Sequence, residues 1–314
     1  MLPVLTVTLN PALDVSTSVA ELKPLQKLRC AAERLDPGGG GVNVSRAIRE
    51  LGGESVAFVA LGGHTGAQLD ALLDRASLDI ETWPLIGETR ISFTVMEAAT
   101  CLPYRFVLPG PVVSPAEADA ILKRLARHID RYPGYVVASG SLPVGVPDDF
   151  YARLVRIARD AGARCIVDTH GTPLRAAAEA RPYLIRLNHL EAQELVGGNA
   201  DIAAHTLAQQ LVERGLTEAA IVTLGERGAI LATRSRQVEI SPPRVEVKSG
   251  VGAGDSFVAA LVFGLANGWG VEDATRYGVA AAAAAVTTEA TELCKRETVN
   301  DFYAQIGGTL RRAA

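Results

Sequence analysis

The feature that most constrains this chain's fold is a spacing. Short, almost continuously apolar runs recur along its length, and amphipathic stretches of helical period lie between them. The runs are Pro3–Leu9, Ser55–Ala60, Tyr135–Ser139, Arg164–Asp168, Tyr183–Leu187 and Ala219–Leu224. A strand with one wet face alternates apolar and polar residues, whereas a strand covered on both faces has no such constraint. The stretches Asn43–Leu51, Pro115–Ile129, Asp149–Ala161 and Ile202–Glu213 carry the helical period. Ser114-Pro-Ala-Glu117 predicts a capping box with proline at the first helical position. Strand and helix in alternation predict an α/β fold, a central, mostly parallel sheet flanked by helices.

One region breaks this pattern. Arg90–Glu97 alternates strictly, with Ile91, Phe93 and Val95 on one face, and Leu102–Leu108 alternates again, aligning Tyr104, Phe106 and Leu108. The short link predicts an antiparallel hairpin. Asp14–Ser18 and Lys27–Ala32 are candidates for two more strands of the same small β-sheet. The expected division is a core of residues 1–10, 36–85 and 113–314, with a β-sheet lid of 11–35 and 86–112. The lid's apolar face needs a cover, either a cleft beneath it or a second copy.

Bulk properties exclude several functions. The 314 residues carry a net charge of −4, so no basic footprint signals a nucleic acid or a membrane surface. Cys30, Cys101, Cys165 and Cys294 have no C-x-x-C spacing, which fits reduced thiols in the cytoplasm better than a zinc site or redox pair. The start, MLPVLTVTLN, reads as a buried strand and not as a signal peptide. The longest apolar runs, Phe257–Ala266 and Gly278–Val286, are about half the roughly 20 residues that span a bilayer. Ala280–Ala285 reads as a tightly packed helix.

The chemistry concentrates in glycine-rich loops. In Ser249–Phe257, SGVGAGDSF, a carboxylate follows Gly-Ala-Gly and precedes an apolar helix. On this stretch alone the simpler reading is a cap, with Asp255 accepting from the first free N–H groups. The alternative is a nest of N–H donors at Gly252, Ala253 and Gly254 that holds an anion, with Asp255 beside it as a base. A second cluster, Asp36–Ala47, sets four glycines before a helix that starts near Asn43, which suits either a flexible loop with an Asn cap or recognition of a polyol or phosphate. Common nucleotide signatures fail: Phe257 stands where G-x-G-x-x-G needs its last glycine, and there is no G-x-x-x-x-G-K-[ST], HRD or DFG. No H-E-x-x-H occurs, and Ser139-Gly-Ser141 is not G-x-S-x-G. Asn188 and Glu191 lie three apart, a spacing that suits Mg²⁺ through water or a helix cap.

Taken together, these pieces resemble the ribokinase-like carbohydrate kinase family, phosphosugar branch, over almost the whole chain. The resemblance rests on TLNPALD (8–14), KLR (27–29), PGGGGVNVSRA (37–47), SGSLPVGV (139–146), NHLEAQEL (188–195), TLGERG (223–228) and GVGAGDSF (250–257). It implies ATP-dependent phosphorylation of a ketohexose phosphate, fructose 6-phosphate first, with fructose 1-phosphate or tagatose 6-phosphate as rivals. A kinase of an unphosphorylated sugar or nucleoside and a non-catalytic sugar-phosphate sensor are the further alternatives. Asp255 becomes the base, and the N–H groups from Gly252 to Asp255 the anion hole. Asp14, Gly38, Gly39 and Asn43 would hold sugar hydroxyls; Lys27, Arg29, Arg90, Arg105 and Ser139 would hold the substrate's phosphate. Arg186, Asn188, Thr223, Gly225, Gly228, Val279 and Ala283 match ATP-site positions, and Asn188 with Glu191 matches the Mg²⁺ pair. Carbonyls near Val251, Ala285 and Ala290 match a monovalent-cation site, expected to take K⁺. A homodimer through the lid is expected. The chain departs from the branch at Arg186-Leu187-Asn188, where Lys-Pro-Asn is common, and at Gly250 and His170, where Thr and Ser are common.

Overall fold

The apolar runs become the middle of one sheet. The computed structural model describes residues 1–197, 202–289 and 291–309. Nine strands run, edge to edge, β13 (Gln237–Ile240), β12 (Ala229–Thr233), β11 (Ala219–Thr223), β10 (Leu184–Asn188), β9 (Arg164–Asp168), β8 (Tyr135–Ser139), β1 (Val4–Thr8), β4 (Val56–Gly62) and β5 (Asp79–Leu85). β1 pairs parallel with both β8 and β4, and the β12–β13 edge is antiparallel.

Side-chain alternation divides each buried strand between two cores. Leu5, Val7, Val136 and Ala138 enter one layer with residues of α3 (Pro115–Arg131), α4 (Phe150–Asp160), α5 (Gly171–Glu179), α6 (His189–Val196) and α7 (Ala204–Glu213). Val4, Tyr135, Val137 and Ile166 enter the other with α1 (Gly40–Glu50), α8 (Ala253–Ala266), α9 (Val271–Ala285) and α10 (Arg296–Gln305). α2 (Gly63–Arg75) sets Leu69 and Leu73 against Ala57 and Val59. α8 is apolar on almost every side because the sheet, α1 and α9 enclose it. The alanines of α9 permit that close approach: a Cβ at Gly278 would lie 3.0 Å from the Phe257 carbonyl oxygen. Cutting a fully buried side chain here, such as Leu261→Ala, costs about 2–5 kcal/mol. Among the described residues no helix is long and apolar enough to cross a membrane.

A separate four-stranded sheet has the order β3 (Arg34–Gly38), β2 (Ala12–Val19), β6 (Arg90–Glu97) and β7 (Leu102–Val107). Val15 pairs with Phe93, Phe93 with Phe106, and Val95 with Tyr104, so one face is an apolar band. That band is open, with Phe93 36% and Phe106 53% exposed, while Asp14, Asp36 and Ser92 on the other face are buried.

Several expectations are corrected. Lys27–Ala32 forms no strand; the fourth strand is β3, which runs past the expected 35/36 boundary into the glycine loop. Pro37 is tolerated there because β3 is an edge strand, where a missing N–H breaks no ladder. β5, β12 and β13 were not among the expected strands. β5 (DIETWPL) is half polar and holds Pro84, as an edge strand can, and β12 and β13 are only 5 and 4 residues long.

Candidate active site

Strand order reverses between β1 and β8: the chain builds outward from β1 to β4 and β5, then from β8 to β11 on the other side. Such a switch point leaves a crevice at the carboxyl ends of the strands. A cleft of about 260 Å³ opens there, and the inner face of the small sheet forms one wall with Asp14, Arg90, Ser92 and Arg105. Gly39, Gly40, Asn43, Ser139 and Gly140 form its floor, and Asp168, Arg186, Glu191 and Asp255 its far wall. A Cβ at Gly40 would overlap Ser139 Oγ, so only glycine lets the start of α1 meet the end of β8 this closely.

Asp255 does not cap its helix. Gly252 is the N-cap of α8 in the left-handed region (φ 76°), and no side chain bonds the N–H groups of the first turn. The Asp255 carboxylate instead accepts a 2.9 Å hydrogen bond from Asn43 Nδ2, which comes from α1. This leaves the N–H donors of Ala253, Gly254 and Asp255 for an anion, with the helix dipole behind them. The cap, the simpler reading of the stretch alone, is overturned by a partner 212 residues away in sequence. Burial, reinforced by Asp168, pushes the Asp255 carboxyl up to about 7, against the pull of the Asn43 bond, Arg186 and Arg105. A carboxylate with that affinity is suited to take a proton at neutral pH.

The wall beneath the small sheet is cationic. Arg90 Nε donates to the Asn10 carbonyl at 3.1 Å, which fixes the guanidinium beside the cleft. Asp14 is nearly enclosed; burial raises its carboxyl, and Arg105, Arg90 and Arg46 oppose the rise. Gly38 lies against it, since a Cβ there would overlap the carboxylate. Arg186 Nη1 donates to Asp168 Oδ1 at 3.1 Å and Nη2 to Thr223 Oγ1 at 3.0 Å. A Cβ on Gly254 would stand 3.1 Å from Arg186 Nη1, so this cation rests against the glycine loop of α8. Two buried polar atoms on the cleft, Ser139 Oγ and Arg186 Nε, have no partner in the chain. Orphaned donors beside free N–H groups fit an anionic, phosphate-bearing ligand such as ATP.

Other expected residues are distributed unevenly. Lys27 and Arg29 are exposed in the connection between β2 and β3 and do not line this cleft, because the segment expected as their strand is irregular. Gly225 opens and Gly228 ends a short 3₁₀ turn after Thr223, at the carboxyl end of β11. Val279 and Ala283 are buried on α9 and are not among the cleft's lining residues. Asn188 and Glu191 form a capping box: Glu191 N donates to Asn188 Oδ1 at 2.9 Å and Asn188 N to Glu191 Oε2 at 2.8 Å. The side-chain oxygen of Asn188 is thereby used, whereas Glu191 also lines the cleft and enters the box through Oε2 alone. Among the described residues no group of three or more His, Cys, Asp or Glu forms an all-protein metal cage. The Ala285 carbonyl accepts from Thr288 N and Oγ1, and Ala290 lies outside the described residues. Asp168 was missed; its readable signal is a carboxylate at the last position of a buried strand, next to the crevice.

Comparison with known proteins agrees with this geometry. The sequence profile described as pfkB family carbohydrate kinase matches residues 9–298. An ATP-dependent 6-phosphofructokinase isozyme 2 of Mycobacterium tuberculosis is 42% identical over 302 residues, 96% of this chain and 88% of that protein. A 1-phosphofructokinase of Xanthomonas campestris is 34% identical over 87% of this chain and 86% of its own length. Phosphofructokinase-2 of Escherichia coli, solved in complex with potassium, superposes with a TM-score of 0.92 at 35% identity, covering 98% of this chain and 99% of that one. The same E. coli protein has been solved with fructose-6-phosphate (TM-score 0.91) and in a tetrameric inhibited form (TM-score 0.90).

Proposed function

The chain belongs to the pfkB family of carbohydrate kinases, and from that premise we propose that it transfers the terminal phosphoryl group of ATP to fructose 6-phosphate, giving fructose 1,6-bisphosphate. The observation that carries the proposal is the pairing of Asp255 with an uncapped helix N-terminus, across one cleft from Arg90 and Arg105. Phosphoryl transfer asks a protein chiefly for position and for charge to meet charge. The substrate's own phosphate faces Arg90 and Arg105, with the Ser139 hydroxyl as a further donor; guanidinium forks suit phosphate oxygens. Asp14 accepts from sugar hydroxyls. The acceptor hydroxyl then lies against the free oxygen of Asp255, which takes its proton as the new P–O bond forms and the bond from the terminal phosphorus to the bridging oxygen breaks, releasing ADP. The N–H groups of Ala253, Gly254 and Asp255 meet the charge on the phosphoryl oxygens without reorganising. Arg186, anchored by Asp168 and Thr223, lies beside the same oxygens. Mg²⁺, when bound with ATP, would supply charge neutralisation, and Glu191 is the residue that would hold it, through water. A monovalent cation, as in the E. coli structure with potassium, would take carbonyls near Val251.

We also read residues 11–35 and 86–112 as a lid, with the end of β3 shared with the core, and assign its open apolar band to a homodimer contact. The exposure of Phe93 and Phe106 and the tetramer of the E. coli protein support that reading. Four free cysteines, Cys30, Cys101, Cys165 and Cys294, accord with the cytoplasm.

The test is ADP release with MgATP against fructose 6-phosphate, fructose 1-phosphate, tagatose 6-phosphate, fructose and ribose, compared by kcat/KM. Preference for fructose 6-phosphate supports the proposal. Preference for fructose 1-phosphate would favour the reading that the X. campestris relative supports, and preference for a bare sugar would remove the phosphate role of Arg90 and Arg105. Asp255→Asn should lower kcat by at least about 10²-fold. A mutant with more than a tenth of the kcat would take Asp255 out of the base role. Binding of fructose 6-phosphate with no ADP release from the unmutated protein would favour a sensor.

A further inference from the structure

We propose that Arg46 is a positioning residue for the phosphoryl-transfer base, acting through the side-chain amide of Asn43; the proposal rests on Asp255 being that base. Asn43 and Arg46 lie three apart on α1 and so share a face. Arg46 Nη1 donates to Asn43 Oδ1 at 3.1 Å and to the Pro37 carbonyl at 2.8 Å. Asn43 Nδ2 donates to Asp255 Oδ2 at 2.9 Å. A guanidinium can only donate, and an ionised carboxylate can only accept. An amide held between the two has one orientation that satisfies both: Oδ1 toward Arg46 and Nδ2 toward Asp255. The donated hydrogen bond then fixes one oxygen of the base and leaves the other for the acceptor hydroxyl. Without Arg46 only the carboxylate's own charge opposes a flip of the amide, and the flipped form, with Oδ1 toward Asp255, favours the protonated carboxyl, the inactive form.

Arg46 is itself fixed. Its side chain is 17% exposed, and Nη2 lies 3.9 Å from Asp36 Oδ1. Asp36 is held in turn by Thr291 Oγ1 at 2.6 Å and by Arg34 Nε at 2.7 Å, and Arg34 reaches Glu292 at 3.2 Å. Thr291 and Glu292 belong to the connection that also brings Leu293 against Gly252, where a Cβ would stand 2.7 Å from Leu293 Cδ2. One polar chain therefore joins the segment behind the anion nest, the edge strand of the small sheet and the base. Charged groups acting on Asp255 from the surrounding elements are Asp168 on β9, Arg186 on β10, Arg105 on β7 and Arg46 on α1. Arg46 differs from the others in acting mainly through an amide that touches the carboxylate.

The test is Arg46→Met beside Arg46→Lys and Asp255→Asn, with the sugar phosphate that the panel ranks first. The readouts are kcat, both KM values, the pH profile of kcat and Tm. Arg46→Met is expected to lower kcat about 10- to 100-fold, as a misplaced catalytic group does, with KM values within about 3-fold. The acid limb of its kcat profile should move to higher pH, because the carboxylate loses a donated hydrogen bond and a nearby cation. Arg46→Lys, which keeps the cation and its donors on a single nitrogen, should recover most of kcat and the original limb. If Arg46→Met lowers Tm but leaves kcat and the acid limb unchanged, Arg46 is only a staple for the Pro37 carbonyl, and the proposal falls. If Arg46→Met does not fold, Asp36→Asn loosens Arg46 without removing it; a limb shift there supports the proposal and an unchanged profile overturns it. Activity retained in Asp255→Asn would instead overturn the base assignment, so the two failures are distinct.

Discussion

Asp255→Asn should make this protein nearly inactive and more stable, with most of the added stability confined to neutral and alkaline pH. Burial beside Asp168 pushes the folded carboxyl up to about 7. An aspartate in the unfolded chain titrates near 3.9. The folded state therefore keeps its proton over a range in which the unfolded state has released it. Stability linked to this group is fully present below about pH 4 and is lost as pH rises toward about 7. Above that, the folded protein carries an ionised, half-buried carboxylate on the cleft wall, and solvent in the cleft reduces the cost below the full gap. A gap of about 3 pKa units at 1.36 kcal/mol each gives about 4 kcal/mol, an upper limit at pH 8. At pH 5 the same linkage leaves only about 1.5 kcal/mol, from the roughly 1.1 units between pH 5 and the unfolded pKa.

Asparagine keeps the shape, accepts the Asn43 hydrogen bond and carries no charge to bury. Unfolding entropy of about 2.1 cal/mol/K per residue, over a chain of 314 residues, makes 1 kcal/mol worth about 1.5 °C. Asp255→Asn should thus raise Tm by up to about 6 °C at pH 8 and by about 2 °C at pH 5. Calorimetric scans of both proteins without nucleotide, sugar or Mg²⁺ measure this free of ligand linkage. An equal difference at the two pH values, or a lower Tm for Asp255→Asn at pH 8, would refute the claim that the protein holds its base at an energetic cost.

Three other substitutions probe the remaining parts of the site. Arg90→Ala should lower kcat/KM for the sugar phosphate about 10- to 100-fold, the worth of a charge-assisted hydrogen bond, and leave any activity on free fructose unchanged; an equal loss on both sugars would remove Arg90 from the phosphate site. Phe106→Asp puts a charge in the open apolar band of the small sheet and should give monomers by light scattering at micromolar concentration, whereas an unchanged assembly state would move the interface elsewhere. Gly252→Ala must hold a Cβ in the left-handed region, at about 1–2 kcal/mol, and against Leu293; kcat should fall at least about 10-fold, and an unchanged kcat would argue against the nest as the anion hole.

The sheet core was legible because its strands are buried on both faces, and that condition is written into each strand's own composition. β1, β8, β9, β10 and β11 fall within a residue or so of the expected runs. Edges are different. β5 and β3 each carry a proline and polar residues that a central strand would reject, and they are strands because a neighbour offers a ladder on one side. The hairpin β6–β7 was legible from its alternation; the connection holding Lys27 and Arg29 has no such period.

The site divides along the same physical line. Glycines and their positive φ angles are local requirements, so the loops around Gly39 and Gly252 could be read from short stretches. The base role proposed for Asp255 could not be separated there from a cap, the simpler of the two readings. A carboxylate in the first turn of a helix satisfies free N–H groups at little cost, and nothing within SGVGAGDSF forbids that. What turns it away is Asn43, on another helix, and what makes it basic is enclosure beside Asp168 on a third element. A cap needs only its own helix. A base with a raised pKa needs a carboxylate partly withheld from solvent and wholly from its helix, and only tertiary packing can do both. The same logic applies to the role proposed for Arg46: in the sequence it is one arginine on an amphipathic helix, and only the fold sets its guanidinium against the amide that meets Asp255.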